Sequence, residues 1–259
     1  MRKLRMIGLG VFCAGVLVPA AAAAAAPQYV ALGDSYSSGV GTRVFYKEEG
    51  SCSRSPDAYG PKIAAARGYS LSFQACSGAK TPDVNGKQLG TLSSSTSLVT
   101  ITIGGNDAGF SEVILNCALY YFTCGSSIST ANNFIQTKLG ALLDTTYNDI
   151  RAKAASAHVV VLGYPHLFTS EGATCNVNLL TSSHEKELNH TGDLLDGVIS
   201  ARAAAHGFTF VDPRSAFLPH EVCSSSEWLN GQSNPLSESY HPNVSGQADL
   251  TTQVEAVLP

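Results

Sequence analysis

Charged residues are scarce in this sequence of 259 residues: they make up 14% of it, and the formal net charge is −4. Domains that bind nucleic acids carry clusters of Lys and Arg, so this composition argues against a nucleic-acid partner. Beyond the amino-terminal segment, no apolar run approaches the length of a membrane span. We therefore expect a soluble globular chain that is not stably inserted in a membrane.

Several motifs of known chemistry are also missing. The sequence has no CxxC pair, and neither His184-Glu185 nor His220-Glu221 has the second histidine of an HExxH zinc site. No serine lies in a GxSxG motif, which argues against the nucleophile elbow of α/β-hydrolases. The missing cysteine and histidine pairs argue against a zinc site, and we expect the protein to work without a metal or another cofactor.

The amino terminus is the one long apolar stretch. It begins MRKLR and continues through apolar residues into a run of alanines that ends at Ala26. Basic residues, an apolar core and Ala-x-Ala sites indicate a secretory signal peptide over 1–26, cleaved near 25–26. The alternative is an uncleaved membrane anchor, because the run is long enough to span a bilayer. We expect residues 27–259 to form a single secreted, monomeric domain.

Cysteine usage agrees with export. Six cysteines follow the leader, and an even number in an exported chain predicts three disulfides, although the count alone permits fifteen pairings. They are Cys52, Cys76, Cys117, Cys124, Cys175 and Cys223.

Strands and helices alternate along the chain. Short apolar or β-branched runs predict strands at 29–32, 71–75, 97–103, 158–162 and 208–211. Amphipathic or alanine-rich segments predict helices at 57–67, 131–155, 182–205 and 243–258. Ser182 and Glu185 have the spacing of a capping box, and Asn243 can cap the last helix. This alternation predicts a parallel sheet of about five strands between two layers of helices.

Four residues in turns supply the parts of an acyl-transfer site. Ser35 follows the first predicted strand, Gly78 the second and Asn106 the third, while His241 lies near the carboxyl terminus. Ser35 is the candidate nucleophile and His241 the candidate base. The N–H groups of Ser35 and Gly78 and the amide of Asn106 would stabilise the oxyanion.

Each of these residues also has a simpler interpretation. Ser35 can be a helix cap, Gly78 can only permit a positive φ, and Asn106 can be a turn residue. His241 can be a surface histidine, in which case His166 is the other candidate base near the same strand ends. The agreement of four turns in one order favours the catalytic interpretation.

The order of these blocks resembles the SGNH (GDSL) hydrolase family. The resemblance rests on Gly33-Asp34-Ser35, Gly78 in its small-residue turn, Gly104-Gly105-Asn106-Asp107 and His241-Pro242. Spacing and cysteine pattern are most similar to exported lipases, esterases and phospholipases A1 of actinomycete type. The resemblance implies a flavodoxin-like α/β/α sandwich without a metal. It also implies disulfides in sequential order: Cys52–Cys76, Cys117–Cys124 and Cys175–Cys223.

The chain departs from the family pattern at one position. Members with a full triad have Asp three residues before the histidine, where this chain has Glu238. Some relatives use instead a main-chain carbonyl two residues before the histidine, which is that of Ser239. We expect the Ser239 carbonyl to orient His241, with the Glu238 carboxylate as the alternative.

The resulting functional hypothesis is a secreted carboxylic ester hydrolase, either a lipase or a broad esterase, with ester or lipid substrates. Phospholipase A1 and a carbohydrate acetyl esterase are the alternative activities, and a non-catalytic binding module is the alternative of another class. Apolar residues near the turns are candidates for an acyl-chain groove, with packing in the core as the equal alternative for each of them. They are Phe110, Ile114, Leu115, Tyr120, Tyr121, Phe122, Leu167 and Phe168.

Overall fold

The computed structural model describes residues 25–47, 50–169 and 180–259. Within this part of the chain, five parallel strands form one sheet in the order β2-β1-β3-β4-β5. The strands are β1 (Gln28–Gly33), β2 (Ser70–Phe73), β3 (Thr96–Thr102), β4 (His158–Leu162) and β5 (Thr209–Val211). Almost all of the predicted signal peptide, residues 1–26, lies outside the described residues.

The central strands are buried on both faces, which explains their continuous apolar sequences. In β3, six of the seven residues are buried, and in β4 the four after His158 are buried. The strand order is that of the flavodoxin-like fold, in which β1 and β3 lie on either side of the topological switch point. Ser35 follows β1 and Asn106 follows β3, so the fold places both residues at the position where such sheets bind ligands.

Helices cover both faces of the sheet and make a three-layer α/β/α sandwich, as predicted. In the described residues they are α1 (Ser35–Ser38), α2 (Tyr59–Arg67), α3 (Thr81–Asp83), α4 (Phe110–Leu119), α5 (Cys124–Phe134), α6 (Gly140–Lys153), α7 (Ser182–Ala205), α8 (Arg214–Phe217) and α9 (Val244–Glu255). Helix α2 packs against α9, and α7 packs against α5 and α6.

Two predicted helices differ from the structure at their ends. The predicted helix 131–155 is part of a longer one, because α5 and α6 are joined by a π-helical turn, Ile135–Leu139. The capping box of Ser182 and Glu185 was wrong: Thr181 is the cap of α7, and its side chain accepts a hydrogen bond from the His184 N–H. Asn243 does cap α9, through bonds from the N–H groups of Ser245 and Gly246.

Two predicted disulfides, Cys52–Cys76 and Cys117–Cys124, are present. The third predicted pair, Cys175–Cys223, includes Cys175, which lies outside the described residues. Across the described ranges, no helix is long and apolar enough to cross a membrane.

Candidate active site

Strand β1 delivers Ser35 to the carboxyl edge of the sheet. It ends at Gly33, where φ is +123° and an added Cβ would lie 2.4 Å from the Thr102 carbonyl oxygen, so only glycine fits. The next residue, Asp34, caps α1 by accepting a hydrogen bond from the Tyr36 N–H at 2.9 Å. Ser35 is therefore the first residue of a short helix, which the Gly33 turn and the Asp34 cap hold in place.

Ser35 and His241 are in direct contact. The Oγ atom of Ser35 lies 2.7 Å from Nε2 of His241, and Nδ1 of His241 lies 2.7 Å from the carbonyl oxygen of Ser239. A carbonyl oxygen can only accept, so the hydrogen is on Nδ1 and Nε2 presents a lone pair to the serine hydroxyl. The imidazole thus has the tautomer that a general base requires.

The Glu238 carboxylate has a different partner. Its Oε2 atom lies 3.1 Å from Nε of Arg43, whose guanidinium also donates to the Ser233 hydroxyl at 2.6 Å. The backbone at Tyr240 has a φ of +59°, in the left-handed region, and the Tyr36 hydroxyl donates to the Tyr240 carbonyl at 2.6 Å. This geometry presents the Ser239 carbonyl, rather than the Glu238 side chain, to the imidazole.

Burial keeps the imidazole neutral. His241 is only 8% exposed. Burial lowers the pKa of His241 to about 4, against a smaller opposite effect of the hydrogen bond to Ser239. At neutral pH the ring is therefore unprotonated and able to take a proton from Ser35.

The candidate oxyanion donors lie on the turns after β2 and β3. Asn106 lines the same cleft as Ser35 and His241, and one of its amide hydrogens is donated to the Ala79 carbonyl at 3.1 Å. Gly78 lies just before Ala79 with a φ of +76°, and it lines a second cavity rather than the cleft itself. The bond between Asn106 and Ala79 holds the two turns together.

A second contact between these turns involves Asp107. Its carboxylate accepts hydrogen bonds from the Thr81 hydroxyl at 2.6 Å and from the Thr81 N–H at 3.0 Å. The last residue of the Gly104-Gly105-Asn106-Asp107 block therefore positions the turn that carries Gly78.

An open cleft leads to Ser35. Its wall is largely apolar and comes from α4 and from the loop before His241; the residues are Phe110, Ile114, Leu115 and Leu236. The prediction of a groove was right for the three α4 residues and missed Leu236. The prediction was wrong for Leu167 and Phe168, because both are buried in the core. It was also wrong for Tyr120 and Phe122, because both are exposed outside the cleft.

The site geometry agrees with the comparison to known proteins. The model of the GDSL-like Lipase/Acylhydrolase family matches residues 31–248. The chain belongs to this family. Its match begins within β1 and ends within α9, so it spans all four sequence blocks.

Several lipases resemble this GDSL-family chain along almost its whole length. Lipase 1 of Streptomyces coelicolor is 45% identical over 260 residues, which cover 96% of each chain. Two crystal structures superpose with a TM-score of 0.86, and each match covers 90% of this chain and 100% of the other. They are a phospholipase A1 from Streptomyces albidoflavus NA297, 44% identical, and an extracellular lipase from Streptomyces rimosus, 42% identical. The chain is accordingly a carboxylic ester hydrolase of the lipase and esterase type.

Tyr164 is a site residue of this GDSL hydrolase that the sequence did not identify. Its hydroxyl donates a short hydrogen bond to the Asp34 carboxylate and accepts one from the Gly105 N–H at 3.1 Å. Burial raises the pKa of Asp34 to about 7, and the bond from Tyr164 partly opposes this. Tyr164 thus links the cap before the nucleophile to the turn that carries Asn106. The only feature of the sequence that pointed to Tyr164 was its position just after β4, at the carboxyl edge of the sheet.

Gln88 is a second residue that sequence reasoning missed. Its side-chain amide donates to the Gly33 carbonyl at 2.9 Å, and its side-chain oxygen accepts from the Gly33 N–H at 2.8 Å. This pair of bonds fixes the end of β1 next to Ser35.

The rival base, His166, is not at the cleft. Its Nε2 atom lies 2.8 Å from the carboxylate of Asp193, which also pairs with Arg214. Among the described residues, no group of three or more His, Cys, Asp or Glu side chains is arranged to bind a metal ion.

Proposed function

We propose that this GDSL hydrolase is an exported lipase that cleaves fatty-acyl esters through an acyl-Ser35 intermediate. His241 is the general base, and the Ser239 carbonyl orients it. The observation that carries the proposal is the contact of 2.7 Å between Ser35 Oγ and His241 Nε2 at the base of an apolar cleft.

The reaction follows from the hydrogen-bond directions. Nε2 of His241 takes the hydroxyl proton as Ser35 Oγ attacks the ester carbonyl, and the same proton then goes to the leaving alkoxide as the C–O bond breaks. Water deacylates the enzyme by the same route in reverse, with His241 again as the base. The imidazolium formed in each step is stabilised by its Nδ1–H bond to the Ser239 carbonyl.

The oxyanion is stabilised by three donors in this proposal. Ser35 is the first residue of α1, so its N–H is not needed for a bond within the helix. Asn106 uses one amide hydrogen for Ala79 and has a second available. The Gly78 N–H is the third donor, on a turn that the Asn106–Ala79 bond holds close to the cleft. Each donor contributes about 2.7 to 4 kcal/mol to the transition state.

The cleft favours a long acyl chain over an acetyl group. Phe110, Ile114, Leu115 and Leu236 offer apolar surface beyond the reacting atoms, and that surface would have no partner in an acetyl ester. A carbohydrate acetyl esterase is therefore the weaker candidate. Phospholipase A1 is the second candidate, supported by the phospholipase A1 structure that superposes with a TM-score of 0.86.

Export completes the proposed function. The sequence of residues 1–26 has the layout of a signal peptide, and the two disulfides within the described residues suit an oxidising compartment. We propose that residues 27–259 are secreted as a monomeric domain.

A fluorophosphonate tests the nucleophile. Intact mass should show a single adduct on the mature protein and none on Ser35→Ala, whose melting temperature should match that of the wild type. An adduct on Ser35→Ala would show that another residue is the nucleophile. A series of esters from acetyl to palmitoyl, with a phosphatidylcholine beside it, then ranks lipase, phospholipase A1 and acetyl esterase activity by kcat/KM.

A further inference from the structure

The loop between α4 and α5 exposes large apolar side chains. Between Cys117 and Cys124, Leu119 is 41% exposed, Tyr120 63% and Phe122 95%. Moving an aromatic side chain from water into an apolar environment favours the buried state by on the order of tenfold or more. Large apolar side chains exposed together therefore indicate a binding surface. We call residues 117–124 the stapled loop.

The base of the stapled loop is fixed. Cys117 and Cys124 are joined by a disulfide, and both are fully buried in the core. The disulfide connects the end of α4 to the start of α5, so the aromatic residues project from a closed loop of a few residues. The loop therefore loses little conformational entropy when its side chains bind.

The loop continues the wall of the cleft. On α4, Ser111 and Leu115 line the cleft, and Leu119 follows Leu115 by one further helical turn on the same face. An apolar path thus runs from the proposed acyl-chain wall to the exposed tip. A partner bound at the tip would therefore adjoin the α4 wall of the cleft.

The charge of this region favours one kind of partner. No Asp, Glu, Lys, Arg or His occurs over residues 113–137. This range contains the stapled loop, the whole of α5 and the first three residues of the π-helical turn that follows it. A loop without charges of its own offers no ionic contact to an anionic membrane or a charged protein, and its side chains lose no ionic hydration on entering lipid. Tyrosine beside phenylalanine suits the boundary between headgroups and acyl chains.

We propose that the stapled loop inserts Tyr120 and Phe122 into the surface of neutral or zwitterionic aggregated lipid and holds the cleft mouth against it. The inference rests on the proposed function, because it assigns lipid at an interface as the substrate of the same cleft.

Binding is tested apart from catalysis, in the Ser35→Ala background. The probe is phosphatidylcholine vesicles, and partitioning is measured by sedimentation. Tyr120→Ser with Phe122→Ser should lower the partition coefficient roughly tenfold or more, from the loss of two aromatic side chains. The control is Leu218→Ser, which removes an apolar residue that is 55% exposed outside the loop and should leave partitioning unchanged.

Catalysis provides a second readout. In the active enzyme, the double variant should keep kcat/KM on a water-soluble butyrate ester within about twofold and lose roughly tenfold on the same lipid presented as an emulsion. The single variant Phe122→Trp should have the interfacial activity that the double variant lacks. The fluorescence of the added tryptophan should shift to the blue with phosphatidylcholine vesicles.

Three outcomes would overturn the inference. Unchanged vesicle binding of the double variant would show that the loop does not dock on lipid. An equal loss on the soluble ester and the emulsion would assign Tyr120 and Phe122 to the reaction site instead. A wild-type dimer that the double variant converts to monomers would make this surface an interface between copies of the chain. Activity of Ser35→Ala would refute the proposed function alone, since vesicle binding is measured without turnover.

Discussion

The Glu238 carboxylate lies 3.1 Å from the Arg43 guanidinium. Glu238 is three residues before His241, the position from which a triad carboxylate would orient the imidazole. Glu238→Ala should therefore reduce kcat less than tenfold, because the Ser239 carbonyl still fixes the tautomer of His241. Steady-state kinetics on a soluble ester measure this directly. Arg43→Ala is the matched control and should have a similarly small effect. A loss of several hundredfold with Glu238→Ala alone would assign the carboxylate to the triad.

The pH dependence of kcat/KM should reveal the low pKa of His241. The base must be neutral, so activity should persist below the ordinary histidine value of 6.5 and fall with a midpoint near pH 4. The unfolded chain takes up this proton near pH 6.5 and the folded chain only near pH 4. His241 therefore makes the fold less stable as pH falls through that window.

Acid unfolding is the control for this profile. Each sample is held at low pH and then returned to pH 7. Only pH values from which full activity is recovered are included in the profile, so that acid unfolding does not contribute to it. A midpoint near 6.5 in the recovered enzyme would contradict a desolvated His241.

Tyr164→Phe should weaken both the fold and the reaction. It removes the donor to the Asp34 carboxylate and the acceptor for the Gly105 N–H, each buried, at a cost of about 1 to 3 kcal/mol in the free energy of unfolding. Loss of the link between the Ser35 helix and the Asn106 turn should lower kcat roughly 10- to 100-fold with a smaller change in KM.

Tyr147→Phe is the matched control for that substitution. The Tyr147 side chain is fully buried and its hydroxyl has no hydrogen-bond partner among the described residues, so its removal should leave stability unchanged or slightly higher. Urea unfolding and steady-state kinetics compare the two variants. Equal behaviour of Tyr164→Phe and Tyr147→Phe would show that the Tyr164 network does not position the site.

The two described disulfides should differ in their effect on stability. Cys52 and Cys76 are separated by 24 residues in sequence, whereas Cys117 and Cys124 are separated by 7. On the chain-entropy model, loss of the longer crosslink costs about 3.5 kcal/mol and loss of the shorter about 2.5 kcal/mol. Urea unfolding of Cys52→Ala/Cys76→Ala and Cys117→Ala/Cys124→Ala should show this order. An unchanged melting temperature under reducing agent would argue against structural disulfides.

The fold could be predicted because it depends on local patterns, and Ser35 and His241 could be paired because each lies in a recognisable sequence block. Continuous apolar runs ending in small residues are a property of buried parallel strands, and Ser35 follows such a run directly. The order of turns along the chain then predicted that Ser35, Asn106 and His241 meet at one edge of the sheet.

What escaped prediction depends on contacts between distant segments. Tyr164 and Asp34 are 130 residues apart, and no spacing rule links them. The Ser239 carbonyl was expected from the family resemblance, but its physical basis was not: the left-handed backbone at Tyr240 and the ion pair of Glu238 with Arg43 appear only in the structure. The cap of α7 was misplaced by one residue because Thr181 and Ser182 are equally suited to the role, and only the backbone at Thr181 decides it.

The nucleophile and the base are 206 residues apart, with Ser35 after the first strand and His241 before the last helix. All five described strands precede His241, so a growing chain can complete its sheet while Ser35 still has no base. Ester hydrolysis then begins only when the last part of the chain has been made and packed against α1. The proposed catalytic pair is therefore completed only by the last part of the chain.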